Sequence, residues 1–231
     1  MNSKKKNIEA QIVEDFEKIR PAITRLLQTQ MKNDDLSLRY GRSKSNSKND
    51  IVINPSILVN TISKTNLDRD EVMIGTVVHE AIHATNNYTL DSESLNKLFP
   101  EELDDVEDID DVLEILTGPF GKYVFDILIH SIEEKIFVKQ YEGLNSILED
   151  IYTESFSEIK KLGNFSQYLS LLFHSITSYI DPEFENYKKP VVSSLNESLH
   201  ILKTLNYENV NVSELIEATV QMVDILSLIH I

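Results

Sequence analysis

The chain has 231 residues, no cysteine and a formal net charge of −16, from 38 acidic against 22 basic residues. That length suits one large domain or two small ones, and 41 % hydrophobic residues exclude a disordered chain. Without thiols there is no disulfide framework, thiolate metal site or cysteine nucleophile, and the acidic field repels phosphate backbones, so no nucleic-acid partner is expected. No apolar run approaches the ~20 residues that span a bilayer. An amphipathic stretch stands where a signal peptide would carry its apolar segment, so the expected location is the cytoplasm, with no membrane partner.

Residues 6–32 are expected to be helical, because Ile8, Ile12, Phe16, Ile19, Ile23, Leu26, Leu27 and Met31 recur at three- and four-residue steps. Pro21 is the point where this helix would kink or divide. Two short apolar runs, "LSLRYG" and "IVINP", then flank a polar Ser/Lys/Asn-rich loop, a pattern that predicts a small β-hairpin with a long tip. Further helices are expected over 56–63, from "NLDRDE" to about Asn87, and over 122–141, 145–162, 165–180, 191–205 and 213–229. Asn66 or Asp68 can cap the helix that opens at "NLDRDE", and its acidic first turn suits the helix dipole. The acidic run at 101–114 keeps Leu103, Val106, Ile109, Leu113 and Leu116 at helical spacing. It lacks the alternating ligands and the glycine of a calcium loop, so a solvated helix face is expected there. The segment "DPEFENYKKP" divides an expected domain over 1–180 from a C-terminal helical extension over 181–231 packed on it, the alternative being one domain over 1–231.

The stretch "VVHEAIHATNN" (77–87) carries the chemistry. On a helix His79 and His83 lie one turn apart on one face and can aim their imidazoles at one ion. Catalytic zinc takes three protein ligands and keeps a water in its fourth position. Glu80 is then placed to accept the proton of the zinc-bound water and pass it to the leaving amine. The metzincin extension needs a glycine at 86 and a histidine at 89; Asn86 and Thr89 exclude that class.

A third ligand is sought in "YVFDILIHSIEEKIFVKQY" (123–141), where helical spacing puts His130, Glu133 and Glu134 on one face. Phe125, Ile129, Ile132, Ile136 and Phe137 supply an apolar surround, in which two adjacent carboxylates are costly without a cation. Glu133 is the first choice as ligand, Glu134 the acceptor that holds a histidine ring N–H, and His130 a pocket residue. The opposing view is a solvated face shared by Glu133, Glu134 and Lys135. His174, in "SLLFHSITSY", is either a satisfied core histidine or the alternative third ligand. His200 and His230 have no supporting context.

"HEAIH" followed about fifty residues later by "HSIEEKIFVKQYEGL" resembles the gluzincin-like HExxH metallopeptidase modules found beside von Willebrand A domains in phage and bacterial proteins, including cobalt-chelatase T-subunit relatives. "YEGLNSILEDIYTESF" (141–156) is similar to the aromatic stretch that follows the second motif in those modules, and the resemblance covers roughly residues 50–160. By position it implies metal ligands His79, His83 and Glu133, with Glu80 as base. His130 stands where the family shows asparagine and Glu134 where it shows aspartate. Tyr152 stands where the modules place a tyrosine, whose phenol can stabilise the oxyanion of a tetrahedral intermediate. No D-x-S-x-S adhesion motif occurs, and "DSES" (91–94) does not fit one. Two alternatives are therefore expected: a stand-alone relative, with a von Willebrand A-type protein as partner, or a fragment that lacks a further C-terminal domain.

The expected fold is mainly α (α+β): a zincin-like helical domain with a small β-hairpin or short antiparallel sheet beside the HExxH helix. The expected function is zinc-dependent hydrolysis of a peptide or protein substrate, an extended segment of which can add to the edge of the hairpin. Two rival expectations are a zinc-containing binding or assembly module of the same fold, and an acidic helical interaction protein in which the motif is accidental. Substrate identity lies in pocket walls that one sequence does not assemble.

Overall fold

The computed structural model describes residues 2–41, 49–64, 66–85, 97–99, 106, 108–139, 141–156, 158–180, 184–207 and 209–228, with the backbone alone described for some of them, His83 included. In chain order the main elements are α1 (Asn2–Met31), β1 (Ser37–Tyr40), β2 (Asp50–Ile53), α2 (Pro55–Lys64), α3 (Arg69–Thr85), α4 (Ile109–Thr117), α5 (Gly121–Lys139), α6 (Glu142–Phe156), α7 (Asn164–Thr177), α8 (Lys189–Leu202) and α9 (Val212–Leu228). The protein is mainly helical with one small sheet, the expected class. The contacts group it into two compact units, 1–86 with 137–156, and 87–136 with 157–231. Segment 184–190 lies within the second unit. Among the described residues no helix is long and apolar enough to cross a membrane.

In the first unit, α1 buries Ile12, Phe16, Ile23 and Leu27 along one stripe, while Ile8 is exposed. The helix runs unbroken through Pro21. That ring removes one backbone donor, but Phe16 and Ile23 anchor the helix on either side of it, and Pro21 itself is exposed. The stripe packs against Leu36 just before β1, Leu38, Ile51 and Ile53 of the sheet, Leu58 of α2, and Met73, Val77, Val78, Ala81 and Ile82 of α3.

The sheet corrects the expected hairpin: β1 and β2 are parallel, with Leu38 opposite Ile51 and Tyr40 opposite Ile53. Ser37 N–H donates to Asn49 C=O at 2.7 Å and Gly41 N–H to Ile53 C=O at 3.0 Å, so both strands advance in the same direction. The stretch 41–49 can span about 30 Å, whereas a four-residue strand is only about 13 Å long. The chain therefore has slack to return to the start of its neighbour. Alternating apolar residues determine which face is buried; they leave strand direction open. The expected antiparallel pairing is thus replaced by a parallel one that buries the same side chains.

α3 begins where expected. Asp68 Oδ1 accepts from the Asp70 N–H at 2.9 Å and the Glu71 N–H at 3.3 Å, an N-cap that satisfies two of the four orphan donors of the first turn. Arg69 Nη2 lies 3.0 Å from Asp15 Oδ2 and ties this end of α3 to α1. One turn before His79, Gly75 meets α6: a Cβ built there would sit 2.7 Å from Ile151 Cδ1 and 2.8 Å from Ile147 Cγ2. The missing side chain is what lets the two helices approach so closely.

In the second unit Asp108 caps α4 through the Asp110 N–H at 2.7 Å. Asp110, Asp111 and Glu114 are exposed while Val112 and Leu113 are buried, a solvated acidic face over an apolar one. Residues 101–105 and 107 of the acidic run lie outside the described residues. Gly118, at φ 62° and ψ −157°, turns the chain towards α5 in a conformation that L side chains avoid. α7 packs on α8, α8 on α9 and α9 on α4, and the hydroxyls of Tyr168 and Ser198 meet at 2.7 Å inside the α7–α8 contact.

Alanine at 75 would gain about 1 kcal/mol of helix propensity against about 1–3 kcal/mol of overpacking. Valine adds further bulk with a smaller gain. Gly75→Val is therefore expected to lower stability by about 1–3 kcal/mol, read from the urea unfolding midpoint. An unchanged midpoint would mean that α3 and α6 do not approach as described.

Candidate metal centre on helix α3

The whole "HEAIH" motif falls inside α3, which ends at Thr85. From Val72 to Ile82 this helix is buried almost all round; only Ile74, His79 and Glu80 are half-buried. The polar pair thus stands where the apolar surround opens, which suits a site that needs low dielectric and substrate access together. His83 lies one turn after His79 on the same helical face; its side chain is outside the described residues, as are Asn86 and Thr89.

Tyr152, on α6, comes to this site. Its hydroxyl is 3.1 Å from His79 Nδ1, and the two rings meet edge-on at 73° with centroids 6.2 Å apart. Only the family resemblance marks Tyr152 as a residue of interest, whereas its contact with His79 depends on how α6 lies across α3. Gly75 escapes a reading based on ligands. The signal that could have found it is the small residue one turn ahead of the first histidine, where a neighbouring helix must come close.

His130, Glu133 and Glu134 lie on α5 and belong to the second unit, while His79, Glu80, His83 and Tyr152 belong to the first. Glu133 is 7 % exposed and Glu134 fully buried, with His130 half-buried. This excludes the solvated face considered for the two glutamates. Ionised carboxylates so far from water need a cation or hydrogen-bond donors, since each costs several kcal/mol otherwise. Lys135 turns elsewhere: its Nζ donates to Ile176 C=O at 2.6 Å and stands 5.5 Å from the Tyr207 ring centroid.

His174, on α7 in the second unit, is 4 % exposed and stacks edge-on against Phe173. Burial pushes its imidazole down to about 4, against the upward pull of the Glu134 carboxylate nearby. His174 is thus a buried neutral imidazole within electrostatic reach of the buried Glu134 carboxylate, and both are residues singled out for a metal role. His200 is exposed and His230 lies outside the described residues. Among the described residues no group of three or more His, Cys, Asp or Glu side chains is placed to hold a metal ion. The donors available are imidazole and carboxylate, the set that zinc accepts where thiolate is missing.

The unfolded chain takes up a proton at His174 near pH 6.5, the folded chain only near pH 4. The stability this residue contributes is therefore complete above about pH 6.5 and is lost as pH falls towards 4. Unfolding midpoints measured in chelator between pH 7 and pH 4 should fall less steeply for His174→Gln than for the wild type. No protein-family model, curated protein or solved structure matches this chain.

Proposed function

We propose that the chain is a zinc-dependent metallopeptidase of the gluzincin-like type, with His79, His83 and Glu133 as metal ligands and Glu80 as general base. The observation that carries this is the setting of α3. Two histidines stand one turn apart on a helix that is mostly buried from Val72 to Ile82, and the environment opens at His79 and Glu80. Glu133 is buried, so its carboxylate needs a cation or hydrogen-bond donors, and a metal is compatible with that need. When bound, zinc supplies Lewis acidity that polarises a scissile carbonyl and acidifies a water. Glu80 accepts the proton of the attacking water and returns it to the leaving amine nitrogen, the general-acid–base part of the reaction. Glu134 is an acceptor for a histidine ring N–H, and His130 a pocket residue. Substrates are peptides or proteins, and a von Willebrand A-type protein is the proposed partner. The absence of cysteine suits work in the reducing cytoplasm.

Zinc content of the purified protein, followed by titration, tests the ligand set: near-stoichiometric binding is expected, and its absence sinks the proposal. Glu133→Gln should weaken zinc binding; unchanged affinity would remove Glu133 from the set. Glu80→Gln should keep the metal and the fold while lowering peptide hydrolysis by about 10²–10⁴-fold. Stoichiometric zinc with no cleavage of any peptide library by the wild type would instead favour a zinc-containing binding module.

A further inference from the structure

We infer that Tyr152 is a positioning residue for His79: its hydroxyl oxygen accepts the Nδ1 proton and so holds the imidazole in the tautomer whose lone pair is on Nε2. The consequence for zinc rests on the metallopeptidase proposal above. The tautomer is a property of the metal-free chain and stands apart from it.

A neutral imidazole carries a proton on one nitrogen and a lone pair on the other, and the partner of one nitrogen decides the role of the second. The Tyr152 hydroxyl lies 3.1 Å from Nδ1, within hydrogen-bond range. A nitrogen facing a hydroxyl at that distance has no room for an ion. If His79 ligates, it does so through Nε2, and Nδ1 must then be the protonated atom. The edge-on meeting of the two rings, with centroids 6.2 Å apart, adds a steric limit on rotation of the imidazole.

A second, independent observation points the same way. Gly75 precedes His79 by one helical turn, and Ile151 precedes Tyr152 by one residue. A Cβ at Gly75 would meet Ile151 Cδ1 at 2.7 Å. α6 therefore packs tightly on α3 one turn before the contact between Tyr152 and His79. The choice of a phenol also has a chemical consequence. A carboxylate on Nδ1 would favour the imidazolium, because opposite charge raises the pKa of the ring. A hydroxyl brings no such charge, so it orients the ring without strengthening the proton that competes with zinc.

The metal-free protein is tested first, by long-range ¹H–¹⁵N correlation of the His79 ring at a pH where it is neutral. The wild type should be protonated at Nδ1, and Tyr152→Phe should shift it towards Nε2. A wild-type ring protonated at Nε2, with the phenol donating, overturns the inference. Zinc affinity is then measured by competition with a chromophoric chelator, with circular dichroism as the check on folding. Tyr152→Phe should raise the zinc Kd about 10–100-fold, and Gly75→Ala should shift it in the same direction with every donor atom intact. Unchanged affinity with a reduced kcat would instead make Tyr152 an oxyanion donor and overturn the positioning role. If the wild type binds no zinc, the metallopeptidase proposal falls, and the ring tautomer alone decides this inference.

Discussion

The first unit depends on the absence of a side chain at Gly75. α3 is buried almost all round, so its neighbours must close on it from several directions at once. On the α1 and sheet side this is ordinary packing of Met73, Val77, Val78 and Ala81 into an aliphatic core. On the α6 side the helices come closer than a Cβ would permit. That approach brings a tyrosine hydroxyl to the first histidine of the motif, a contact no local sequence pattern specifies.

The second unit carries a different kind of constraint. Its long helix α5 buries two consecutive glutamates, and a neutral histidine from α7 lies near one of them. Burial of ionisable groups works against stability unless each finds a partner, and breaking such an arrangement from one side is far costlier than never having built it. Lys135, next in sequence, is drawn away to the end of α7 and to an aromatic face. The carboxylates have partners other than the neighbouring ammonium.

Much of the helical skeleton was legible from periodicity and caps. Asp68 caps α3 because its side chain can accept from the orphan N–H groups of the first turn, and the expected helices over 122–141, 165–180 and 213–229 lie within a few residues of α5, α7 and α9. Pro21 was a weaker guide, since packing on both sides of it held α1 together. Strand direction was not legible at all: the alternation in "LSLRYG" and "IVINP" marks a buried face and is the same for either direction. Of the candidate site, the spacing of His79, Glu80 and His83 was explicit. The burial of Glu133 and Glu134 followed from their apolar surround, whereas the nearness of His174 to Glu134 did not, because forty residues separate them.

The sequence by itself determined the helical class, the helix that carries the two histidines, and a donor set limited to imidazole and carboxylate, because periodicity, capping and the lack of cysteine are local or compositional properties. Only the tertiary structure decided that the strands run parallel, that Tyr152 meets His79 at Nδ1, and that Glu134 lies near His174. Those outcomes depend on which surfaces meet across long stretches of chain. They are settled by close packing, with the space at Gly75 behind the Tyr152 contact, and by the need of buried charge for a partner.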